Sequence, residues 1–273
     1  MLTISNGIGA VFNLIMGLFA GAPLLGMIVI SVVTGVIMLI IYKYTSNQAG
    51  ITRAKDRIKA NFLAIMLYKD SFRVLLISIA RILRWNLSYM GHNLKPLAVM
   101  MAPVLLLLVQ LNFWYGYEPL GVDRTAMVTA TVADKVDMYA AKPELTTPEG
   151  VVVETGGVRN RQAQQVSWRI RGKVPGDYTL HLSIGGVEVD KRVVVGDTER
   201  LHHLIPKRHD GNFWDGLLYP GAPKLEGGIT QIDIAYPIAE MNVFGWHIHW
   251  IIVYFVLSII AGLSMKGVFG VDI

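Results

Sequence analysis

The segment from Lys43 to Lys95 is a basic stretch between two long apolar runs, and it constrains the fold more than any other part of the chain. It carries ten lysine and arginine residues against only two acids, Asp56 and Asp70. Segments that connect membrane spans keep such an excess of positive charge on the cytoplasmic side. The first apolar run is therefore expected to enter from outside, and the chain from about residue 113 to the start of the last apolar run is expected to be extracytoplasmic.

Composition supports a membrane protein. The chain is 53% hydrophobic and only 16% charged, whereas soluble domains are about one quarter charged. The formal charge of +5 arises in the basic stretch, because residues 113–245 hold fourteen bases against seventeen acids. This distribution predicts contact with anionic lipids, and no nucleic-acid partner is expected. We expect a multi-pass protein of a prokaryotic inner (cytoplasmic) membrane.

Three apolar segments have about the 20 residues that a bilayer span requires. They are predicted as transmembrane helices at 24–42, 94–113 and 244–266. Lys266 then falls on the cytoplasmic side, so the N-terminus is expected outside and the C-terminus inside. Residues 1–23 are predicted to form a short interfacial helix on the outer leaflet, and the alternative is one long tilted helix that includes them.

Residues 43–93 are predicted to form a cytoplasmic amphipathic helical hairpin, with its turn near Tyr68-Lys69-Asp70. The second helix, from an N-cap at Ser71, contains three arginines, each of which costs about 2.5–3.5 kcal/mol near the centre of a span. It is therefore expected to lie in the inner headgroup layer. The predicted contacts to substrate or lipid are Arg53, Arg57, Lys59, Arg73, Arg81 and Arg84.

Residues 119–240 are predicted to form an extracytoplasmic all-β domain, an immunoglobulin-like sandwich inserted between the second and third spans. Apolar and polar residues alternate in several segments, the pattern of a half-buried strand. The clearest are 125–132, 165–171, 178–184 and 187–195, with 151–154 and 229–236 as further candidates. Gly185-Gly186 predicts a two-residue hairpin turn.

Histidines supply the weak candidates for a metal site. His202, His203 and His209 lie in one loop beside Asp210, but their spacing matches neither a helix face nor a strand face. We therefore predict neither a metal site nor a cofactor. The chain has no nucleophile elbow, phosphate-binding loop or zinc-protease motif, so an enzyme is not expected.

The layout resembles the three-span branch of the Oxa1/YidC/Alb3 superfamily of membrane insertases. The resemblance rests on a first span that runs from outside to inside, the basic hairpin, the proline-containing second span and the C-terminal sequence SMKGVFGVDI. That branch includes archaeal YidC-like proteins, the third subunit of the endoplasmic-reticulum membrane complex and the TMCO proteins. The resemblance implies an insertase or intramembrane chaperone, with a partly hydrated groove and a hairpin that receives nascent membrane-protein segments.

Two functions of different class follow from the sequence. The first is membrane-protein insertion, for which the possible polar groove residues are Thr34, Gln110 and Asn112. The second is a noncatalytic scaffold or accessory subunit of a larger membrane complex, which docks a periplasmic partner through its β domain. Polar residues at one depth among the spans favour the first, and a dry helix seam favours the second.

Overall fold

The computed structural model describes residue 9 and residues 12–133, 140–211, 218–219, 224–225 and 227–271. The described residues form two compact units. The β unit is built from Met1–Gly26 and Leu107–Trp250, and the helical unit from Met27–Leu106 and Ile251–Ile273.

Most of the described α-helical residues belong to five helices. Helix α1 covers residues 12–18, and the others are α2 (Pro23–Thr45), α3 (Gln48–Leu67), α4 (Phe72–Tyr115) and α5 (Trp250–Phe269). Helices α2, α4 and α5 are long and apolar enough to cross a membrane. They include most of the segments predicted as spans.

The N-terminal segment is not continuous with α2. A turn follows α1, and α2 begins at Pro23, a position where proline is favoured because its missing N–H group needs no partner. The alternative of one long helix is therefore wrong for the described residues. Phe12 and Met16 are buried, whereas Leu14 and Leu18 are exposed. Residues 1–8, 10 and 11 of the predicted interfacial helix lie outside the described residues.

Helix α4 joins two elements that the sequence predicts as separate. The predicted headgroup-layer helix and the second span form one helix of 44 residues, which contains both Pro96 and Pro103. A proline inside a helix removes one backbone hydrogen bond and costs about 3 kcal/mol. Helix α4 nevertheless continues through both prolines. The predicted boundary between the hairpin (43–93) and the second span (94–113) is therefore not the end of a helix.

Helices α3 and α4 pair as an antiparallel hairpin within the helical unit. Gly50 lies against His92, and the ammonium group of Lys55 lies 5.9 Å from the centre of the Tyr89 ring. Ile51 and Ala54 are fully buried, so the small apolar face of α3 forms the contact. The Asn47 side chain caps α3 by accepting a hydrogen bond of 3.0 Å from the N–H group of Gly50.

The β unit contains eleven strands among its described residues. They are β1 (Thr125–Val132), β2 (Glu144–Thr146), β3 (Val151–Val153), β4 (Val158–Asn160), β5 (Gln165–Gly172), β6 (Gly176–Ile184), β7 (Val187–Val195), β8 (Lys207–His209), β9 (Ile229–Ile234), β10 (Met241–Val243) and β11 (Trp246–Ile248). A six-stranded sheet has the order β3-β5-β1-β9-β8, with β4 also paired to β5. A second sheet has the order β2-β6-β7, and β10 pairs with β11.

The two larger sheets share one apolar core. It includes Val128 and Trp168 from the six-stranded sheet, and Leu180 and Val193 from the three-stranded sheet. This arrangement is compatible with a β-sandwich. Gly185 and Gly186 connect β6 to β7 with φ values of +60° and +82°, as a type I′ hairpin turn requires.

The third apolar helix begins later than the sequence predicts. Residues 241–248 form the β10–β11 hairpin, and α5 begins at Trp250 instead of Phe244. Asn242 Oδ1 accepts a hydrogen bond of 2.9 Å from the Gly245 N–H group, and both turn residues have positive φ. The hydrogen bond and the positive φ values define a tight turn at Phe244-Gly245. Helix α5 therefore does not extend back to Phe244.

Lys191 is an unusual inward-facing residue of β7. Its side chain is buried between Val189 and Val193 along the strand, and its Nζ atom donates a hydrogen bond of 2.8 Å to the carbonyl oxygen of Ile205. Burial lowers the pKa of Lys191 to about 7, although the nearby carboxylate of Asp233 opposes the shift. Burial in turn raises the pKa of Asp233.

The lysine makes the stability of the protein depend on pH. The pKa of Lys191 is lowered from 10.5 to about 7 in the folded chain, so the unfolded chain binds more protons between these values. The free energy of unfolding should therefore rise by about 2 kcal/mol from pH 7 to pH 9. Lys191→Met should remove most of this rise in denaturant titrations that follow tryptophan fluorescence in detergent. Equal pH slopes for the two proteins would contradict the assignment.

Candidate functional site

The six predicted basic contact residues all lie on the outside of the α3–α4 hairpin. Arg53, Arg57 and Lys59 project from α3, because the opposite side of that helix packs on α4. Among the described residues, none of the six forms a salt bridge. The full list of exposed bases is Arg53, Arg57, Lys59, Arg73, Arg81 and Arg84.

One of these bases also contacts an aromatic ring. The guanidinium carbon of Arg57 lies 6.0 Å from the centre of the Trp85 ring, within the range of a cation–π interaction. This contact joins the two helices of the hairpin. Arg53 and Lys59 have no ring contact of this kind among the described residues, so their charge is directed outward.

The end of the hairpin is apolar as well as basic. Several large apolar side chains at the α3–α4 turn are exposed, which is unusual for a surface that has no partner. We define these residues as the hairpin tip: Phe62, Leu63, Met66, Leu67, Tyr68, Phe72 and Leu76. Phe72 and Leu76, in the first two turns of α4, are both exposed in the helical unit. Lys59, Lys69 and Arg73 lie beside these apolar residues along the chain.

A second group of polar residues lies inside the helical unit. Ser31 and Thr34 of α2 are buried, and so is Tyr254 of α5. The hydroxyl group of Tyr254 lies near those of Thr34 and Ser258. We call Ser31, Thr34, Tyr254 and Ser258 the polar seam. Thr34 is near the middle of α2, so the seam lies deep within an apolar helix pair.

Hydrogen bonding in the polar seam is incomplete. Thr34 Oγ1 donates to the carbonyl oxygen of Ile30 at 2.7 Å, a common way for a helical hydroxyl group to be satisfied. Ser31 Oγ is buried and has no hydrogen-bond partner among the described residues, whereas the Ser258 hydroxyl group lies within reach of the Tyr254 hydroxyl group. A buried polar group without a partner is costly, so a hydrogen bond from another group to Ser31 would be favourable.

Close helix packing holds the seam together. A Cβ atom placed on Gly35 would lie 2.7 Å from the carbonyl oxygen of Ser258 and 3.2 Å from Cβ of Ala261. Glycine thus allows α2 and α5 to approach closely at the level of the seam. Where α2 ends, the Tyr42 hydroxyl group donates a hydrogen bond to Asn93 Oδ1 of α4.

Only one of the three predicted groove residues belongs to the polar seam. Thr34 lies in the helical unit, whereas Gln110 and Asn112 belong to the β unit. Gln110 is buried, and a Cβ atom placed on Gly9 would lie 3.7 Å from its side-chain amide. Asn112 is half-buried beside Gly116. Both residues therefore take part in packing within the β unit.

The three histidines pack in different surroundings. The His203 ring lies 5.8 Å from the Phe113 ring and 5.5 Å from the Trp114 ring, measured between centroids. Burial lowers the pKa of His203 to about 4. His209 Nδ1 accepts a hydrogen bond from the Gly211 N–H group at 2.9 Å, and His202 is half-buried with a buried, unpartnered Nε2 atom. Among the described residues, no group of three potential ligands could hold a metal ion.

A cavity of about 560 Å³ lies within the β unit. Its walls include Trp114, Tyr117 and Glu118, together with residues 198–202 and 238–242. Its lining also includes the charged or titratable residues Glu199, Arg200 and His202.

The sequence signal for the polar seam was present but incomplete. Tyr254 and Ser258 are four residues apart, which places them on one face of a helix. Ser31 and Thr34 are three apart and share a face in the same way. Only Thr34 of these four residues is predicted as a polar groove residue, because a single hydroxyl group in an apolar run is common.

No family model, curated protein or solved structure matches the chain. The resemblance to the Oxa1/YidC/Alb3 superfamily therefore remains a prediction from layout.

The close contact at Gly35 can be tested by adding one methyl group. Gly35→Ala should destabilise the protein by about 1–3 kcal/mol, because the new Cβ atom would meet a backbone oxygen that cannot rotate away. Gly91→Ala is the matched control, since no atom lies within 4 Å of its Cβ position, and a helical alanine stabilises by about 1 kcal/mol relative to glycine. Thermal unfolding in detergent should separate the two variants. A neutral Gly35→Ala variant would exclude tight packing of α2 on α5.

Proposed function

We propose that the protein is a membrane-protein insertase or intramembrane chaperone of the Oxa1/YidC type. In this proposal α2, α4 and α5 cross a prokaryotic inner membrane, with the N-terminus outside and the C-terminus inside. The β unit is extracytoplasmic and contains an immunoglobulin-like sandwich. Its partners are anionic membrane lipids and nascent membrane-protein segments.

The polar seam is the observation that carries the proposal. Polar groups inside a membrane are costly and usually serve a function. Four hydroxyl groups, those of Ser31, Thr34, Tyr254 and Ser258, lie together in the seam, and the buried Ser31 hydroxyl group has no partner among the described residues. Such groups can hydrogen-bond to polar atoms of a segment that enters the bilayer, and so lower its free energy of transfer.

The α3–α4 hairpin supports the same function. A straight α-helix of 44 residues is about 66 Å long, whereas the hydrocarbon core of a bilayer is about 30 Å thick. If α4 crosses the membrane, roughly half of it can project into the cytoplasm. A projecting hairpin suits the capture of substrates better than the headgroup-layer position predicted from the sequence. Its exposed apolar tip can receive an apolar segment, and the neighbouring bases can contact anionic lipids.

A scaffold function is the second candidate. The close contact of Gly35 with Ser258 favours it, because a rigid helix pair needs no opening to hold subunits together. In that case the β unit would dock a periplasmic partner, and other membrane subunits would replace nascent chains as partners. Insertion activity distinguishes the two functions.

The proposed topology can be tested with single cysteines, because the chain contains none. Lys69→Cys and Thr198→Cys both replace exposed residues. In intact cells, an impermeant thiol reagent that can reach the periplasm should label Thr198→Cys at once. It should label Lys69→Cys only after the inner membrane is permeabilised, because the hairpin is on the cytoplasmic side. Equal labelling of both before permeabilisation would overturn the topology.

The role of the hairpin can be tested by removing its charge. Changing Arg53, Arg57 and Lys59 to Gln should reduce insertion of a reporter protein into proteoliposomes by several fold, because three bases that contact anionic lipid or substrate are lost. The bases each contribute roughly 1 kcal/mol of attraction near an anionic surface. The matched control changes Arg53 and Arg57 to Lys and Lys59 to Arg, and it should retain insertion. If the Gln variant inserts the reporter normally, the scaffold function becomes the better explanation.

A further inference from the structure

The β10–β11 hairpin, residues Met241–Ile248, places two aromatic rings in solvent. Its strands pair Met241 with Ile248, Asn242 with His247 and Val243 with Trp246. The Phe244 side chain is 97% exposed and the Trp246 side chain is 75% exposed. These two rings contribute little to the packing of the β unit.

Phe244 is an unfavourable residue for the turn that it occupies. Phe244 and Gly245 have φ values of +52° and +88°, the conformation of a type I′ turn, which favours Asn-Gly. A bulky residue other than glycine costs roughly 1–2 kcal/mol in this region. Because the Phe244 ring is exposed, no packing within the chain offsets that cost.

Chain connectivity indicates what covers the two rings. Trp250, two residues after β11, begins α5, a helix apolar enough to cross a membrane. Trp250 is five residues after Gly245 in the chain, so the turn lies within roughly 17 Å of the start of α5. Tryptophan and other aromatic side chains favour the membrane–water interface, where ring and polar groups are both satisfied.

The charges of the hairpin indicate the kind of surface that it fits. Residues 238–249 contain one acid, Glu240, and no lysine or arginine. Glu240 Oε2 lies 3.9 Å from His247 Nδ1 at the base of the hairpin. Without lysine or arginine the hairpin has no permanent positive charge to attract anionic lipid, so its attraction to a bilayer would come from the aromatic rings.

We propose that Phe244 and Trp246 insert into the outer lipid interface beside the start of α5 and anchor the β unit to the membrane. This inference rests on the membrane placement in the proposed function. It goes beyond that function, because it assigns the hairpin to a lipid contact that neither insertion nor scaffolding requires.

A nitroxide spin label can measure the depth of the hairpin. Val243→Cys, next to Phe244, provides the only cysteine in the full-length protein, which is reconstituted into vesicles of phosphatidylcholine and phosphatidylglycerol. Power saturation compares collisions with oxygen, which enriches in lipid, and with a water-soluble nickel chelate. Val158→Cys on β4 is the aqueous control, and Ile259→Cys on α5 is the membrane control, because both native residues are exposed in the structure.

The proposal predicts that the Val243 label has an oxygen-to-nickel accessibility ratio clearly above that of the Val158 label. Adding Phe244→Asn should shift the ratio towards the aqueous control. Asparagine suits the type I′ turn, so the hairpin should stay folded, and an unchanged thermal unfolding midpoint checks this.

Equal ratios at Val243 and Val158, with a buried label at Ile259, would overturn the lipid contact and leave the proposed function intact. The vesicles contain no other protein, so a hairpin that binds only a protein partner would give this result. An aqueous label at Ile259 would instead overturn the membrane placement, and the inference with it.

Discussion

The free energy of placing a charge in an apolar environment is the constraint on which the three long apolar helices depend. Helices α2 and α5 each contain one charged residue, and Lys43 and Lys266 both lie in the last turn. Positive charge is favourable at a helix C-terminus, where it interacts with the exposed carbonyl groups. The interiors of these helices carry hydroxyl groups instead of charges. Thr34 satisfies its own hydroxyl group through the carbonyl of Ile30, whereas the Ser31 hydroxyl group has no partner in the described part of the chain.

The strands of the β unit follow from the sequence because their side chains alternate strictly between two faces. The segments predicted at 125–132 and 187–195 form β1 and β7 with the same bounds. Lys191 follows the alternation and points inward, although its charge favours water. Lys191 can occupy this inward position because its Nζ atom donates a hydrogen bond to the carbonyl oxygen of Ile205. Burial also lowers the pKa of the amine, which favours its neutral form.

Other parts of the structure could not be predicted because local signals point to another conformation. The arginines and prolines of α4 suggest a break, yet backbone hydrogen bonding along 44 residues outweighs two prolines. The β10–β11 hairpin contains Phe244-Gly245 where type I′ turns favour Asn-Gly, so its apolar sequence resembles the start of a helix. The polar seam depends on which faces of α2 and α5 meet, and a single sequence contains no direct record of that contact.

The β unit extends beyond the boundary that composition suggests, and one segment explains why. Residues 197–206 follow β7 and contact three parts of the unit in succession. The Leu201 N–H group donates to the carbonyl oxygen of Ala20 at 2.9 Å, and that of Leu204 donates to the carbonyl oxygen of Phe113 at 2.8 Å. The carbonyl of Ile205 accepts the hydrogen bond from Lys191. The β unit therefore includes the turn before α2 and the end of α4, and a fragment limited to residues 119–240 would lose two of these three partners. An unpaired buried backbone group costs about 1–3 kcal/mol, so loss of these partners should destabilise the fragment. The β unit therefore extends into α2 and α4 instead of beginning at the change in composition near residue 119.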